Sequence, residues 1–510
     1  MNRRDFLKAG SLVVPAFIVS PQARPQFSDG IQIGDPLADR AIVWARTDRP
    51  ARLIVEYAAA EDPRNARRVR GPEASAASDF TVRMDLRNLP AGQTITLRVW
   101  FEDTDGRADS ERAAGAFRTA PADRRSIRFL WSADTAGQGY GINPDLGGMK
   151  IYETMRGLNP DFFIHCGDTI YADSPIPSEI RLPDGSTWRN LTTEAKSKVA
   201  ETLDEFRGCY RYNLMDDNIR RFNAEVPQVW QWDDHEVTNN WSAGKDLSGD
   251  NRYKEKNIRV LAERARQAFF EYAPLRFEPR APRIYRRIPY GPLLDVFVLD
   301  LRSYRAANSY NLQPKEDPGT AFFGADQMRW LEEELKDSRA VWKVIASDMP
   351  IGVIVSDGRD PENRPRFENA ANGNGPALGR ELEIARLLSF LKKNAIRNVV
   401  WLTGDVHYTA AHYYDPGKAR FTDFDAFWEF VSGPLNAGTF GPNATDDTFG
   451  IQVVFQKTPG DLKSDNSPRA GLQFFGEVVI DGRSEMLTAN LRDLSGATLF
   501  SRTLTPEGSR

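Results

Sequence analysis

Four short apolar segments of the sequence end in acidic residues, and two of these endings also carry a histidine. Continuous apolar runs of this kind are typical of strands buried on both faces of a sheet. In α/β proteins, functional side chains gather where parallel strands reach their carboxyl ends, so we expect the polar residues after these segments to converge in space. They are Asp134, Asp168, Asp234 with His235, and Asp405 with His407.

A cluster of this composition indicates a metal centre. Carboxylates held close together repel one another and resist ionisation, and bound cations remove that cost. Because the set is rich in oxygen donors and poor in thiols, it suits hard ions such as Ca²⁺, Mn²⁺, Mg²⁺ or ferric iron. A shared carboxylate such as Asp168 would bridge two ions, and two ions about 4 Å apart activate a hydroxide and clamp a phosphoryl group for in-line attack. The cluster therefore predicts metal-dependent hydrolysis of phosphate esters.

Histidine is scarce, with four residues in a chain of 510. A lone histidine is more often structural than catalytic, and we assign His165 and His412 that role. His235 and His407 directly follow apolar segments and stand beside carboxylates, which favours a functional role for both. Each ending alone is a weak signal, since an aspartate after a strand also caps helices. The ordered combination of all four is specific.

The elements that position these residues fall into two regions. Residues 27–119 show short apolar strands separated by turns, a spacing typical of an immunoglobulin or fibronectin type III-like β-sandwich. After a linker, strands alternate with helical segments, an α/β pattern, and we expect a catalytic domain over 124–510. The two cysteines, Cys166 and Cys209, are too few for a disulfide-built scaffold; we favour two buried thiols over a single bridge.

The start of the chain has the features of an export signal. Arg3 and Arg4 precede an apolar stretch over residues 9–19, and a polar break follows it. A basic start, a short apolar region and a polar break are typical of a signal peptide, and the paired arginines indicate the twin-arginine route. We therefore interpret residues 1–26 as a twin-arginine signal and expect a periplasmic or secreted protein, with the twin-arginine export machinery as a partner and no transmembrane segment in the mature chain.

Four strings around these residues resemble those of the PhoD-like alkaline phosphatase family, within the calcineurin-like metallophosphatases. They are GDTIY at 167–171, WDDHEVTNNW at 232–241, LDLRSYR at 299–305 and GDVH at 404–407. The resemblance implies a mixed α/β and α+β fold, with a four-layer αββα core preceded by the small β-sandwich. It also implies a dinuclear centre of Fe³⁺ and Ca²⁺, in which Mn²⁺ or Zn²⁺ are other candidate divalent ions.

The resemblance also implies roles for individual residues. The iron ligands by matched position are Asp168, Tyr171 and His407. The ligands of the divalent ion are Asp168, Asp234 and Asp405. His235 would face the phosphate as a general acid or as an oxyanion donor. One departure concerns Asp134, which stands where better-known members carry a cysteine as an iron ligand. We expect Asp134 to bind metal as a harder donor, which leaves the identity of the metals open.

Three further positions follow from the same resemblance. Glu205 falls where the family places another calcium ligand, and Arg207 and Asn239 fall where it places phosphate contacts. For Glu205 and Arg207 the alternative is a solvated helix face. Arg302 could also reach a phosphate, but we favour a structural ion pair with Asp300.

Two classes of function stay open at this point. The first is an exported phosphomonoesterase or phosphodiesterase that acts on small phosphate esters, with a phospholipase D-like phosphodiesterase as a close variant. The second is an exported binding or adhesion module whose metals are only structural; a catalytic site differs from it by keeping a coordination position for water. The net charge of −4 predicts no specific nucleic-acid binding, and we expect a monomer.

Overall fold

A computed structural model describes residues 24–27, 29–106, 108–460 and 466–508 of the chain. The twin-arginine signal predicted for residues 1–26 lies almost entirely outside the described residues. Within those ranges, no helix combines the length and the apolar composition that crossing a membrane requires.

The N-terminal region forms two packed antiparallel sheets. Its strands are β1 (Ile31–Gly34), β2 (Arg40–Arg46), β3 (Ala51–Ala59), β4 (Arg67–Glu73), β5 (Thr81–Arg87), β6 (Thr94–Asp103) and β7 (Ala113–Arg118). One sheet has the order β4-β3-β6-β7, and β1, β2 and β5 lie side by side in the other. Because side chains alternate between the faces of a strand, every second residue of β3 and β6, including Leu53, Val55 and Val99, enters the shared apolar core.

The first half of the catalytic region supplies the central strands of one sheet and four helices. Its elements are β8 (Ile127–Ser132), α1 (Lys150–Gly157), β9 (Phe162–Cys166), β10 (Glu179–Arg181), β11 (Thr187–Arg189), α2 (Leu203–Asn213), α3 (Asp217–Glu225), β12 (Gln228–Gln231) and α4 (Ile258–Tyr272). Strands β8, β9 and β12 are parallel neighbours, so their carboxyl ends lie at one edge of the sheet. Strands β10 and β11 form a separate hairpin.

The second half builds the other central sheet and returns to the first. Its elements are β13 (Arg286–Pro289), β14 (Leu294–Val298), α5 (Ala325–Asp337), β15 (Trp342–Ala346), β16 (Ser356–Arg359), β17 (Pro365–Phe367), α6 (Glu381–Lys393), β18 (Val399–Thr403), β19 (Thr409–Tyr414), β20 (Phe427–Val431), β21 (Ile451–Lys457), β22 (Phe474–Ile480), β23 (Leu487–Asp493) and β24 (Thr498–Leu504). The second sheet has the order β13-β14-β15-β18-β20-β19-β21, and β22, β23 and β24 join the first sheet beside β8.

The two sheets pack face to face between two layers of helices. Apolar side chains of β8, β9 and β12 meet those of β14, β15 and β18 in a core between the sheets. Helices α1 to α4 cover the outer face of the first sheet, and α5 and α6 cover the outer face of the second. The αββα layering predicted for the catalytic region is confirmed, and a β-rich N-terminal region precedes it, as expected.

One feature of the topology was absent from the predictions. Strand β1 pairs in parallel with β12, with Gly34 opposite Gln228, so that a single nine-stranded sheet runs from β24 to β5. A Cβ atom at Gly34 would lie 1.8 Å from the carbonyl oxygen of Pro274, which explains the glycine at this join. One sheet of the N-terminal sandwich is therefore continuous with the sheet that contains β8, β9 and β12. The division of the chain into domains at 27–119 and 124–510 stays a prediction.

Candidate metal centre

The acidic residues after β8, β9, β12 and β18 converge where the carboxyl ends of the two sheets meet. Asp134, Asp168, Asp405 and His407 all have a positive φ, between 52° and 71°. Non-glycine residues adopt this left-handed conformation at a cost of about 1–3 kcal/mol, and such residues concentrate at functional sites. Three of the four strands, β8, β9 and β18, are thus followed by a site residue in this conformation.

Glycines allow the chain segments to approach one another this closely. A Cβ atom at Gly433 would lie 2.3 Å from Oδ2 of Asp134, and one at Gly137 would lie 2.6 Å from the ring of Tyr171. A Cβ atom at Gly404 would lie 2.4 Å from the Cβ atom of Ala133. A larger residue at any of these glycines would therefore push the neighbouring side chain or strand away from its place in the site.

The first metal-binding group joins Asp134, Asp168 and His407, whose ligand atoms lie within 4.8 Å of one another. The Tyr171 hydroxyl completes it: Oη lies 2.7 Å from Nε2 of His407 and 3.4 Å from Oδ1 of Asp134. Nδ1 of His407 hydrogen-bonds the carbonyl oxygen of Gly438. Because that bond places the proton on Nδ1, Nε2 is left with the lone pair that a metal ligand needs.

The second group joins Asp168, Asp234 and His235 within the same distance limit. The backbone N–H of His235 donates to Oδ1 of Asp168 over 3.1 Å, and the backbone N–H of Asn240 donates to Oδ2 of Asp234. Asp168 belongs to both groups, so its carboxylate is the shared element between them.

A third group consists of carboxylates alone, Asp233, Asp234 and Asp405. The guanidinium of Arg302 lies against it, 2.5 Å from Asp233 and 3.9 Å from Asp234. Only the backbone N–H of Arg302 bonds Asp300. The expected ion pair between Arg302 and Asp300 is therefore wrong: the guanidinium of Arg302 pairs with Asp233 of the cluster instead.

The electrostatics of the cluster fit cations. Burial, followed by the neighbouring carboxylates, raises the pKa of Asp134, Asp168 and Asp405 well above its usual range. Burial also raises the pKa of Asp234, but the charges of His235 and Arg302 outweigh it and leave that pKa below its usual value. A multivalent cation among these carboxylates would stabilise their ionised forms.

Buried atoms without hydrogen-bond partners and a neutral histidine also indicate a metal site. Within the described residues, Oδ2 of Asp134 and Oδ1 of Asp234 are buried without a hydrogen-bond partner, which is costly unless an ion takes them up. Burial lowers the pKa of His407 to about 4, so its imidazole is neutral and available as a ligand. Burial raises the pKa of Tyr171 well above its usual value, so a strong Lewis acid is needed to form its phenolate.

His235 is held by a residue that was not predicted from the sequence. Its Nδ1 lies 2.7 Å from Oδ1 of Asp173, and Oδ2 of Asp173 accepts the backbone N–H of Asn239 over 2.8 Å. The His235 side chain keeps 12% of its surface exposed, which leaves it accessible from solvent. Asp173 lies two residues beyond the GDTIY string, and this proximity to Asp168 was the one signal that could have identified it.

Two predicted site residues have other partners. The Glu205 carboxylate accepts backbone N–H groups at the start of α2 in a capping box with Thr202 and pairs with Lys198 at 2.8 Å. Arg207 forms a two-point ion pair with Glu271, at 2.6 and 2.7 Å. These contacts correct the placement expected for Glu205 and Arg207, which here serve the packing of α2.

The structure also places the remaining residues that the sequence singled out. Asn239 is exposed, and its backbone N–H bonds the same Asp173 carboxylate that bonds His235. His165 bonds the Thr135 hydroxyl at 3.0 Å and His412 bonds Glu429 at 2.8 Å. Both cysteines are buried free thiols.

Comparisons with known proteins agree with this architecture. Residues 129–491 match the model of the PhoD-like phosphatase family, and residues 13–121 match that of the PhoD-like phosphatase N-terminal domain. Alkaline phosphatase D of Bacillus subtilis (strain 168) is 28% identical over 468 residues, which cover 85% of this chain and 74% of that protein.

Two solved structures share the fold. The structure of PhoD superposes with a TM-score of 0.68 and 22% identity, covering 94% of this chain and 89% of that one. Purple acid phosphatase PPD1 from yellow lupin (Lupinus luteus) seeds superposes with a TM-score of 0.56 and 13% identity, covering 93% of this chain and 74% of that one.

The strand-end cluster, the layered fold and the family match together decide between the two classes of function left open by the sequence. A non-enzymatic adhesion module is excluded. The chain belongs to the PhoD-like phosphatase family and is a metal-dependent phosphoric ester hydrolase.

Proposed function

We propose that the cluster binds one ferric ion and one calcium ion that share Asp168. The iron ligands would be Asp134, Asp168, Tyr171 and His407. The calcium ligands would be Asp168, Asp234 and Asp405. The observation that carries this assignment is the overlap of the three groups: Asp168 links the His407 group to Asp234, and Asp234 is in turn grouped with Asp405. When bound, such a pair of ions polarises phosphoryl oxygens and lowers the pKa of the attacking water.

The donor types support a harder ion on the His407 side and a divalent ion on the other. Phenolate and carboxylate oxygens suit ferric iron, and an all-carboxylate set suits calcium. Asp134 in place of a cysteine makes the iron side an oxygen-rich site. A phenolate bound to ferric iron absorbs visible light. The wild-type protein should therefore be coloured, and the Tyr171→Phe variant should be colourless. A colourless wild-type protein would indicate another metal at this site.

His235 is assigned the proton transfer to the leaving group. Burial acts to lower its pKa, but the charges of Asp173, Asp234 and Asp168 outweigh burial and raise that pKa well above its usual value. Asp173 holds Nδ1, so Nε2 is the nitrogen that can donate a proton to an ester oxygen. A protonated, oriented and partly exposed histidine is what a general acid requires.

We propose small phosphate esters as substrates and export as the cellular context. The exposed Asn239 amide lies beside His235 and would contact phosphate or leaving-group oxygens. The basic and apolar pattern of residues 1–26 supports export to the periplasm or the medium. Assays on p-nitrophenyl phosphate and its bis ester would measure the preference between monoesters and diesters.

The assignment is tested by elemental analysis of two matched carboxylate-to-amide variants. Asp168→Asn should lose both metals and its activity together, because a single residue bridges the two ions. Glu205→Gln should keep both metals and wild-type turnover, since its contacts lie in the cap of α2. Retention of both ions by Asp168→Asn would overturn the bridging role.

A further inference from the structure

Four aromatic rings form a continuous row along the metal centre. The His235 ring stacks on that of Tyr171, and the Tyr171 ring lies edge-on to that of His407 with centroids 6.1 Å apart. The His407 ring packs against Phe440, with centroids 4.7 Å apart and ring planes 30° apart. Tyr171 and His407, in the middle of the row, are buried. His235 and Phe440, at its two ends, are partly exposed, so solvent and substrate reach the row at its ends.

The backbone around Phe440 is fixed against the metal centre. The carbonyl oxygen of Gly438 accepts the hydrogen bond from Nδ1 of His407. Gly441 has a φ of 94°, and a Cβ atom there would lie 2.7 Å from the ring of Tyr408. Phe440 therefore lies between two glycines that are each in close contact with the protein core, and its ring is held against His407.

The segment beside Phe440 extends an apolar edge. Ile354 and Val355 are apolar and partly exposed. The N–H of Ile354 donates to the carbonyl oxygen of Ala444 over 2.9 Å, and its own carbonyl oxygen accepts the side-chain amide of Asn443 over 3.2 Å. These bonds join the segment to the chain that directly follows Phe440, so the Phe440 end of the ring row has apolar neighbours.

A phosphodiester carries two organic groups on one phosphorus atom, and the two have different fates. One departs with the ester oxygen that receives the proton from His235, and the other stays on the product. Because the phosphorus is tetrahedral, the two groups point in different directions from it. The departing group lies at the polar end of the ring row, where Asp173 bonds both His235 and the backbone of Asn239. The retained group then extends toward the opposite end, where Phe440 lies.

We propose that Phe440 is a specificity-determining residue that contacts the retained ester group of a phosphodiester. One side of its ring packs against His407, and the exposed part of the ring is free to contact a substrate. Aromatic rings pack favourably against one another in offset-stacked or edge-on arrangements, so Phe440 favours diesters whose retained group is aromatic. This inference deepens the proposed function and rests on it, because it takes His235 as the proton donor to the leaving group.

The test uses two diesters that release the same leaving group, p-nitrophenol. Bis(p-nitrophenyl) phosphate retains an aryl group, and methyl p-nitrophenyl phosphate retains a methyl group. Since the two esters differ in intrinsic reactivity, the ratio of their kcat/KM values is compared between enzyme forms. Phe440→Ala should lower the aryl-to-methyl ratio about three- to tenfold, the scale of one lost aromatic contact. Phe440→Tyr keeps the ring and should keep the wild-type ratio.

Phe455→Ala is the matched control. Phe455 is a half-buried phenylalanine of β21 that stacks on Phe500 at the edge of the two sheets, and its removal should leave the ratio unchanged. A displaced His407 would slow the hydrolysis of both diesters alike and cancel in the ratio. The ratio therefore separates a contact with the substrate from support of the metal centre.

A second variant decides the matter if Phe440→Ala loses its metals. Phe440→Leu keeps an apolar side chain over His407 and should lower the ratio by a smaller factor. An unchanged ratio in both variants would overturn the inference, and so would a wild type that hydrolyses p-nitrophenyl phosphate but neither diester. A wild type without activity on any of the three esters would instead defeat the proposed function, so the two failures are distinguishable.

Discussion

The imidazole of His235 is stacked on the phenol ring of Tyr171, with centroids 4.2 Å apart and ring planes 30° apart. The stack limits the tilt of the imidazole, and Asp173 limits its rotation through the bond to Nδ1. Tyr171 in turn bonds His407. The proposed general acid is therefore positioned by a side chain that is itself one of the proposed iron ligands.

Replacement of His235 by alanine should lower kcat by about 10²–10⁴-fold, the usual contribution of a proton-transfer group, and leave both metals bound. The loss should be larger for an alkyl phosphate than for p-nitrophenyl phosphate, whose leaving group needs little protonation. Steady-state kinetics with both substrates, beside elemental analysis, measure this. Equal losses would assign His235 the role of an oxyanion donor, and unchanged turnover on both substrates would exclude it from catalysis.

Asp173→Asn should move the pH profile as well as the rate. The Asp173 charge is the largest contribution that raises the pKa of His235, so its removal lowers that pKa. A general acid works below its pKa, and the alkaline limb of the kcat profile should shift to lower pH. A fall in kcat at every pH, without movement of that limb, would show that Asp173 only supports the local structure.

Gly433→Ala should impair the metal centre more than the fold. The new Cβ atom would lie 2.3 Å from Oδ2 of Asp134, and the end of a side chain yields before the backbone does, so the cost in the free energy of unfolding should stay near 1–3 kcal/mol, roughly that of mild overpacking. Metal content and turnover should both fall. Gly157→Ala at the end of α1 is the control, because its Cβ atom meets nothing within 4 Å. Intact metal content in Gly433→Ala would show that Asp134 is free to move.

His165 should make the protein sensitive to acid. Burial lowers its pKa to about 3 from an ordinary value of 6.5, so below pH 6.5 the unfolded chain binds a proton that the folded protein does not. The stability that neutral His165 confers is complete above pH 6.5 and is lost as the pH falls toward 3, by up to about 1.4 kcal/mol per pH unit.

Urea unfolding of the wild type and of His165→Gln between pH 7 and pH 4 measures this effect. The wild type should lose stability more steeply than the variant as the pH falls. Parallel slopes would mean that His165 titrates with its ordinary pKa in the folded protein.

Much of the site was determined by the sequence alone. Apolar runs that end in Asp134, Asp168, Asp234 and Asp405 predicted strands with polar carboxyl ends, because that pattern depends only on local side-chain burial and turn formation. The alternation over the N-terminal region predicted its β-structure for the same reason. These features are encoded by neighbours in the chain, and a single sequence displays them.

The partners of those residues were decided by the tertiary structure. Arg302 meets Asp233, and Glu368 meets Arg302, across more than 60 positions of sequence. The pairing of β1 with β12 and the ion pair of Arg207 with Glu271 are equally non-local. Such contacts depend on how layers pack and which buried charges find one another, and periodicity along one segment carries no information about them.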